Sequence, residues 1–225
     1  MLWFHRGLLL VSGFLFSVGM LFCLCLQAAT QQPEQLQPIM LPCAVEGTQL
    51  VAEELVCYEG QYLEDGSVEE VVDVSALVIR NHGLTMVEHG VVTLEMPEGT
   101  HTYEIYMLPP GEAALVLEKQ KTAFSMQNPV RCYGWEKQWR ADDNAAISVL
   151  AVDMRTLSVT NRTGSRLERV KVLFKTYDSQ SRMFLGGIVY EAVIENLLPG
   201  QTVQITPYYF VRDYSRVVGI ELLQG

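Results

Sequence analysis

The chain has 225 residues, 49% of them hydrophobic, with 16 Lys+Arg against 26 Asp+Glu and a formal net charge of −10. That length buries a real core in one or two domains, and an acidic surface repels phosphate backbones, which argues against nucleic-acid binding. The five cysteines form no C-x-x-C and no Cys/His cluster, so a zinc site has no support.

Gly7 to Leu26 is a continuous apolar run, long enough as a helix to cross a bilayer at about 1.5 Å per residue. Arg6 is the lone charged residue before it, and the acids all lie beyond. This asymmetry predicts a cytoplasmic N-terminus and an exported remainder. Residues 1–29 therefore read as a membrane anchor or a signal peptide. Cleavage after Ala28 or Ala29 would put Leu26 or Gln27 where a small residue is wanted, which favours the uncleaved anchor. Cys23 and Cys25 read as apolar fillers of this span. Residues 30–44, with Gln31-Gln32-Pro33-Glu34-Gln35-Leu36-Gln37-Pro38, cannot build a core and read as a Gln/Pro-rich linker.

Residues 45–140 read as a first β domain. Its strands are expected at Leu50 to Tyr58, Val71 to Arg80, Met86 to Glu95, His101 to Leu108 and Ala113 to Lys119, with turns at Glu64-Asp65-Gly66, Pro97-Glu98-Gly99 and Pro109-Pro110-Gly111. Asp142-Asp143-Asn144 reads as a hinge into a second β domain, residues 141–225. Here strands are expected at Ile147 to Val152, Thr156 to Thr160, Val170 to Thr176, Ile188 to Glu195, Gln201 to Thr206 and Arg216 to Leu222. In the third of these, Val170, Val172 and Phe174 alternate with Lys171 and Lys175, which predicts an inward apolar face and two lysines on the other.

The two halves repeat. Leu77-Val78-Ile79-Arg80-Asn81 matches Leu157-Ser158-Val159-Thr160-Asn161, and each Asn lies 13 residues before an inward apolar residue, Leu94 or Phe174. Leu108-Pro109-Pro110-Gly111-Glu112 matches Leu197-Leu198-Pro199-Gly200-Gln201, but the interval to Gly111 from Leu94 is 17 residues and that to Gly200 from Phe174 is 26. The second copy thus carries a hairpin nine residues longer, and duplication explains the spacing.

Phe174-Lys175-Thr176-Tyr177-Asp178 resembles the signature of the FxLYD domain, an immunoglobulin-like β-sandwich of exported prokaryotic proteins. The likeness covers roughly residues 146 to 225, and Thr176 departs from it where the signature has Leu. The resemblance implies two tandem immunoglobulin-like β-sandwich domains and no established enzymatic role. As structure, Phe174 fills the core, Tyr177 caps a strand edge, and Asp178 opens a turn by accepting backbone hydrogen bonds.

Motifs for chemistry are sparse, and no catalytic residue, cofactor or metal is expected. His82 and His89 read as solvated loop positions, and His101 has no partner motif. Glu64-Asp65-Gly66 and Asp142-Asp143-Asn144 lack the spacing of a calcium loop. Cys57 and Cys132, in the first and last strand regions of the first domain, are the expected disulfide, with Cys43 left free or the true partner of one of them. Asn161-Arg162-Thr163 has the sequon pattern but reads as a turn. The expected binding surface is Tyr208, Tyr209 and Tyr214 with Phe184 and Arg182 of the longer hairpin, and Tyr133, Trp135 and Trp139 add aromatic area.

These features predict a non-catalytic protein of the cell membrane, single-pass with its C-terminal part extracytoplasmic, or secreted if the signal is cleaved. It would act in adhesion, scaffolding or envelope interaction, with the membrane and another envelope protein or a glycan as partners. The competing reading is a ligand-sensing or glycan-binding accessory protein with a cleft between the domains.

Overall fold

β-Branched and aromatic residues alternate with polar ones through most of the chain, and the computed structural model, which describes residues 37–66, 68–139 and 146–223, is correspondingly all-β. Residues 1–29, the hinge at Asp142-Asp143-Asn144 and residues 30–36 of the Gln/Pro linker lie outside the described residues. Among the described residues no helix is long and apolar enough to cross a membrane.

The strands are β1 (Cys43–Ala44), β2 (Leu50–Gln61), β3 (Glu70–Asn81), β4 (Val87–Met96), β5 (Gly99–Leu108), β6 (Ala113–Leu117), β7 (Arg131–Gln138), β8 (Ile147–Ala151), β9 (Leu157–Asn161), β10 (Leu167–Asp178), β11 (Met183–Leu185), β12 (Tyr190–Leu197), β13 (Thr202–Ile205) and β14 (Ser215–Leu223). They form an eight-stranded sheet, β1-β2-β3-β6-β11-β10-β12 with β14 also on β10, and two three-stranded sheets, β13-β9-β8 and β5-β4-β7. The strand pairings are antiparallel except β6 with β11, where Ala114 and Leu115 run parallel to Phe184 and Leu185. Pro38–Gly225 make up one compact unit.

Two large apolar clusters fill it. The first packs Leu50, Leu77, Ile79, Leu94, Tyr103 and Ile105 from the first half with Leu173, Tyr177, Phe184 and Val218 from the second. The other gathers Leu157, Val159, Val170, Val172, Phe174, Leu197 and Phe210. β10 serves both, because side chains on successive residues point to opposite faces. Val170, Val172 and Phe174 enter the second cluster, while Leu173 and Tyr177 enter the first. The alternation therefore holds, but the expectation that both lysines face outward does not. Lys171 pairs with Glu191 at the surface (2.8 Å), whereas Lys175 lies on the face covered by the first half and is fully buried.

The repeated segments make the same hydrogen bonds. Asn81 Nδ2 donates to the carbonyls of Thr85 (2.8 Å) and Leu108 (2.9 Å), and Asn161 Nδ2 to those of Ser165 (2.8 Å) and Leu197 (3.1 Å). Each Asn Oδ1 accepts the N–H two residues on, from Gly83 or Thr163. Gly111 N–H donates to the Asn81 carbonyl and Gly200 N–H to that of Asn161, and both glycines sit at positive φ, 75° and 71°. Asn161 is fully buried with its amide nitrogen doubly engaged, so the sequon pattern marks the keystone of a turn.

Candidate functional site

The extra nine residues of the second half build the joint between the halves. Asp178 Oδ1 accepts the N–H of Gln180 (3.1 Å) and Oδ2 that of Ser181 (3.0 Å), which tightens the turn. The chain returns as β11, which pairs with β10 on one side and with β6 on the other. Phe184, expected on a binding surface, is instead 1% exposed, stacked edge-on against Tyr177 (5.2 Å between centroids) in the first cluster. The apolar side of this short strand faces the core because both its edges are paired. Arg182 stays exposed at the hairpin tip in left-handed backbone, φ 58°.

Beyond β11 the Gly187 backbone is gripped from two directions. Its carbonyl accepts Lys175 Nζ at 2.8 Å, and Lys175 also donates to the Tyr106 carbonyl at 2.7 Å. Its N–H donates to Glu64 Oε2 at 2.5 Å, while Glu64 Oε1 accepts the Leu117 N–H at 2.8 Å. Burial drives the Glu64 carboxyl up to about 7 against the pull of those N–H groups and of Lys175, and burial likewise brings the Lys175 ammonium down to about 7 against the attraction of Glu64. A side chain at position 187 has no room, since a Cβ there would stand 1.8 Å from the Glu104 carbonyl oxygen.

Next to this joint lies a cavity of about 310 Å³ lined by Tyr62, Glu64, Asp65, Glu104, Tyr106 and Lys119, among others. Glu104 is its best-anchored charge. It accepts Lys119 Nζ (2.8 Å) and the Tyr106 hydroxyl (2.7 Å) and meets His89 Nε2 at 2.8 Å. The hydrogen bonds from Lys119 and Tyr106, outweighing burial, hold its carboxyl down at about 2, and burial beside that carboxylate pushes the Tyr106 phenol up to about 12. His89, expected in a solvated loop, lies in β4, stacked on Tyr106 (4.2 Å) and edge-on to Trp135 (4.7 Å). His101 is buried, and its Nδ1 has no hydrogen-bond partner among the described residues. Among the described residues no group of three or more His, Cys, Asp or Glu is placed to hold a metal ion.

A second candidate surface is aromatic. Phe174 in the core stacks on Tyr190 (5.7 Å), Tyr190 on Tyr209 (4.7 Å), and Tyr208 meets Tyr209 edge-on (4.8 Å). Phe210 turns inward against Phe174 (5.6 Å), so the consecutive aromatics split between core and surface. Tyr208 is 83% exposed, Tyr209 51% and Tyr214 63%. Neither this ladder nor Trp135 lines the cavity beside Glu64.

The cysteines are placed differently from expectation. Cys57 is exposed on β2 and donates its thiol to Asp73 Oδ1 (3.1 Å), which raises its pKa. Cys132 is buried on β7 of another sheet, hydrogen-bonded to Cys43, so Cys57 and Cys132 are not partners. The joint itself was hidden from sequence reading because Glu64 belongs to a turn and Lys175 to an alternating strand. A lysine at a position flanked by apolar residues on its own face, Leu173 and Tyr177, was the available signal.

Compared with protein-family models, with curated proteins and with solved structures, the chain matches none.

Proposed function

We propose that this is a non-catalytic, extracytoplasmic interaction module, made of two tandem immunoglobulin-like β-sandwiches of which the second is of FxLYD type. Residues 1–29 would hold it at the membrane or direct its secretion. The observation that carries the reading is the Phe174–Tyr190–Tyr209–Tyr208 ladder, which runs from the core to an exposed platform. Stacking on a rigid core leaves these rings little rotational entropy to lose, and tyrosine presents apolar area with a polar tip, the combination that suits a protein contact. The non-catalytic reading is supported by Glu64 and Lys175, two acid–base groups shifted by burial whose hydrogen bonds are spent on backbone.

The test is crosslinking of the full chain in its native membrane, with wild type beside Tyr208→Ser/Tyr209→Ser. The wild type should yield a reproducible envelope partner that the double variant loses at equal protein level. An identical set of crosslinks from both would overturn the platform.

The second reading, a glycan-binding accessory protein, is favoured by the cavity. Tyr62 and Tyr106 offer ring faces, and Glu104 and Asp65 offer acceptors for sugar hydroxyls. Cell-wall oligosaccharides should then raise the melting temperature of wild type and not of Glu104→Gln, and no shift with either would dismiss it.

A further inference from the structure

Residues 39–47 run beside residues 129–134. The Ile39 N–H donates to the Pro129 carbonyl (2.6 Å), Glu46 N–H to Cys132 carbonyl (3.2 Å) and Gly134 N–H to Glu46 carbonyl (3.0 Å), and Glu46 bridges Tyr133 in parallel. This lacing sets β1 against β7 and delivers Cys43 and Cys132, 89 residues apart in the chain, to one place. Their thiols are hydrogen-bonded to each other, and both residues pack in the first apolar cluster. Cys57 is held away by its bond to Asp73.

We propose that Cys43 and Cys132 form an intrachain disulfide when the protein meets an oxidising compartment, clamping the strand that follows the linker to the last strand of the first half. The export reading supplies the compartment, but the chemistry needs only a disulfide donor. Cys43 is half-exposed, and the hydrogen bond from Cys132 lowers its pKa, whereas that same bond and burial raise the Cys132 thiol. Cys43 is therefore the attacking thiolate. It displaces one sulfur of the donor, glutathione disulfide or a protein disulfide, to give a mixed disulfide and one thiol. Cys132 gives up its proton and displaces the second donor thiol, closing the Cys43–Cys132 bond. Two thiols of the chain lose two electrons and two protons, and the donor gains both.

The experiment uses the full chain in detergent, equilibrated with glutathione disulfide or with dithiothreitol, then denatured, alkylated with N-ethylmaleimide and mapped by non-reducing peptide mass spectrometry. In the oxidised sample the peptides bearing Cys43 and Cys132 should be joined and 2 Da lighter than their sum, with Cys57 alkylated. In dithiothreitol all three should be alkylated. Closing so long a loop should raise the melting temperature by roughly 10 °C over the reduced protein. Cys57→Ala should keep link and shift, and Cys43→Ala, at a half-exposed position on the rim of the first cluster, should lose both. Alkylated Cys43 and Cys132 after oxidation, or either one joined to another cysteine, would overturn the proposal. The outcome does not depend on where the protein resides, so it leaves the interaction reading to be tested separately.

Discussion

Replacing Lys175 with Met keeps the volume of the side chain and deletes its charge. The Tyr106 carbonyl loses this donor, the Gly187 carbonyl is left with the Tyr106 N–H (2.8 Å), and Glu64 loses the cation that attracts it. Leaving buried acceptors short of a charged donor typically costs about 1–3 kcal/mol each, and a loss of about 2–4 kcal/mol is expected at pH 7. The pH dependence is the sharper test. Glu64 has a raised folded pKa, about 7 against an ordinary 4.5, so its contribution is present below about pH 4.5 and is lost as the pH rises through 7. Lys175 has a depressed one, about 7 against 10.5, so its contribution is present above about pH 10.5 and is lost as the pH falls through 7. Between pH 5 and 8 the wild type therefore loses roughly two pH units' worth of stability through Glu64 and regains about one through Lys175. The variant keeps the loss and forfeits the gain, and without the lysine the Glu64 pKa rises further. Its stability should fall over this range by at least about 1.4 kcal/mol more than that of the wild type, at about 1.36 kcal/mol per unit. Urea unfolding at pH 5 and pH 8, followed by the fluorescence of Trp139 against the first cluster, measures it. Parallel pH profiles for the two proteins would refute the coupling of the pair, and a variant as stable as wild type would refute the role of the ammonium.

Asn81→Ala and Asn161→Ala should each cost about 2–3 kcal/mol in urea unfolding, because each strands a buried carbonyl, that of Leu108 or Leu197. A cost under about 0.5 kcal/mol at either position would remove that Asn from its keystone role. Gly187→Ala should destabilise by about 3 kcal/mol or more, since the added methyl meets the Glu104 carbonyl, which cannot step aside as a side-chain tip could. Wild-type stability in that variant would show that the joint opens readily.

Local rules carried the strands and turns. Leu50 to Tyr58 and His101 to Leu108 form strands where alternation and turn residues put them, and the Asn81 and Asn161 turns share one hydrogen-bond pattern where the spacing is shared. What stayed hidden depends on partners distant in sequence. Phe184 looks like a loop aromatic until β6 covers it, Lys175 looks solvated until the first half lies over β10, and Cys43 looks like part of a linker until residues 129–134 lace to it. β7 is legible in the sequence only as an unbounded last strand region around Cys132, because Arg131, Glu136, Lys137 and Gln138 dilute its apolar signal, although its backbone completes the β5-β4-β7 sheet.

From Leu173 to Tyr177, β10 has no outward face to spare. A strand with one wet side tolerates mutation at every second residue, but here four of five consecutive positions are buried in one packed environment or another and the fifth, Thr176, is half-buried. Such a stretch has little surface on which a substitution goes unfelt, and because Leu173 and Tyr177 pack in one cluster and Phe174 in the other, a change of volume here is felt in both halves of the chain. The exposed hairpin tip at Arg182 and the surface tyrosines Tyr208 and Tyr214, by contrast, can change without disturbing either cluster.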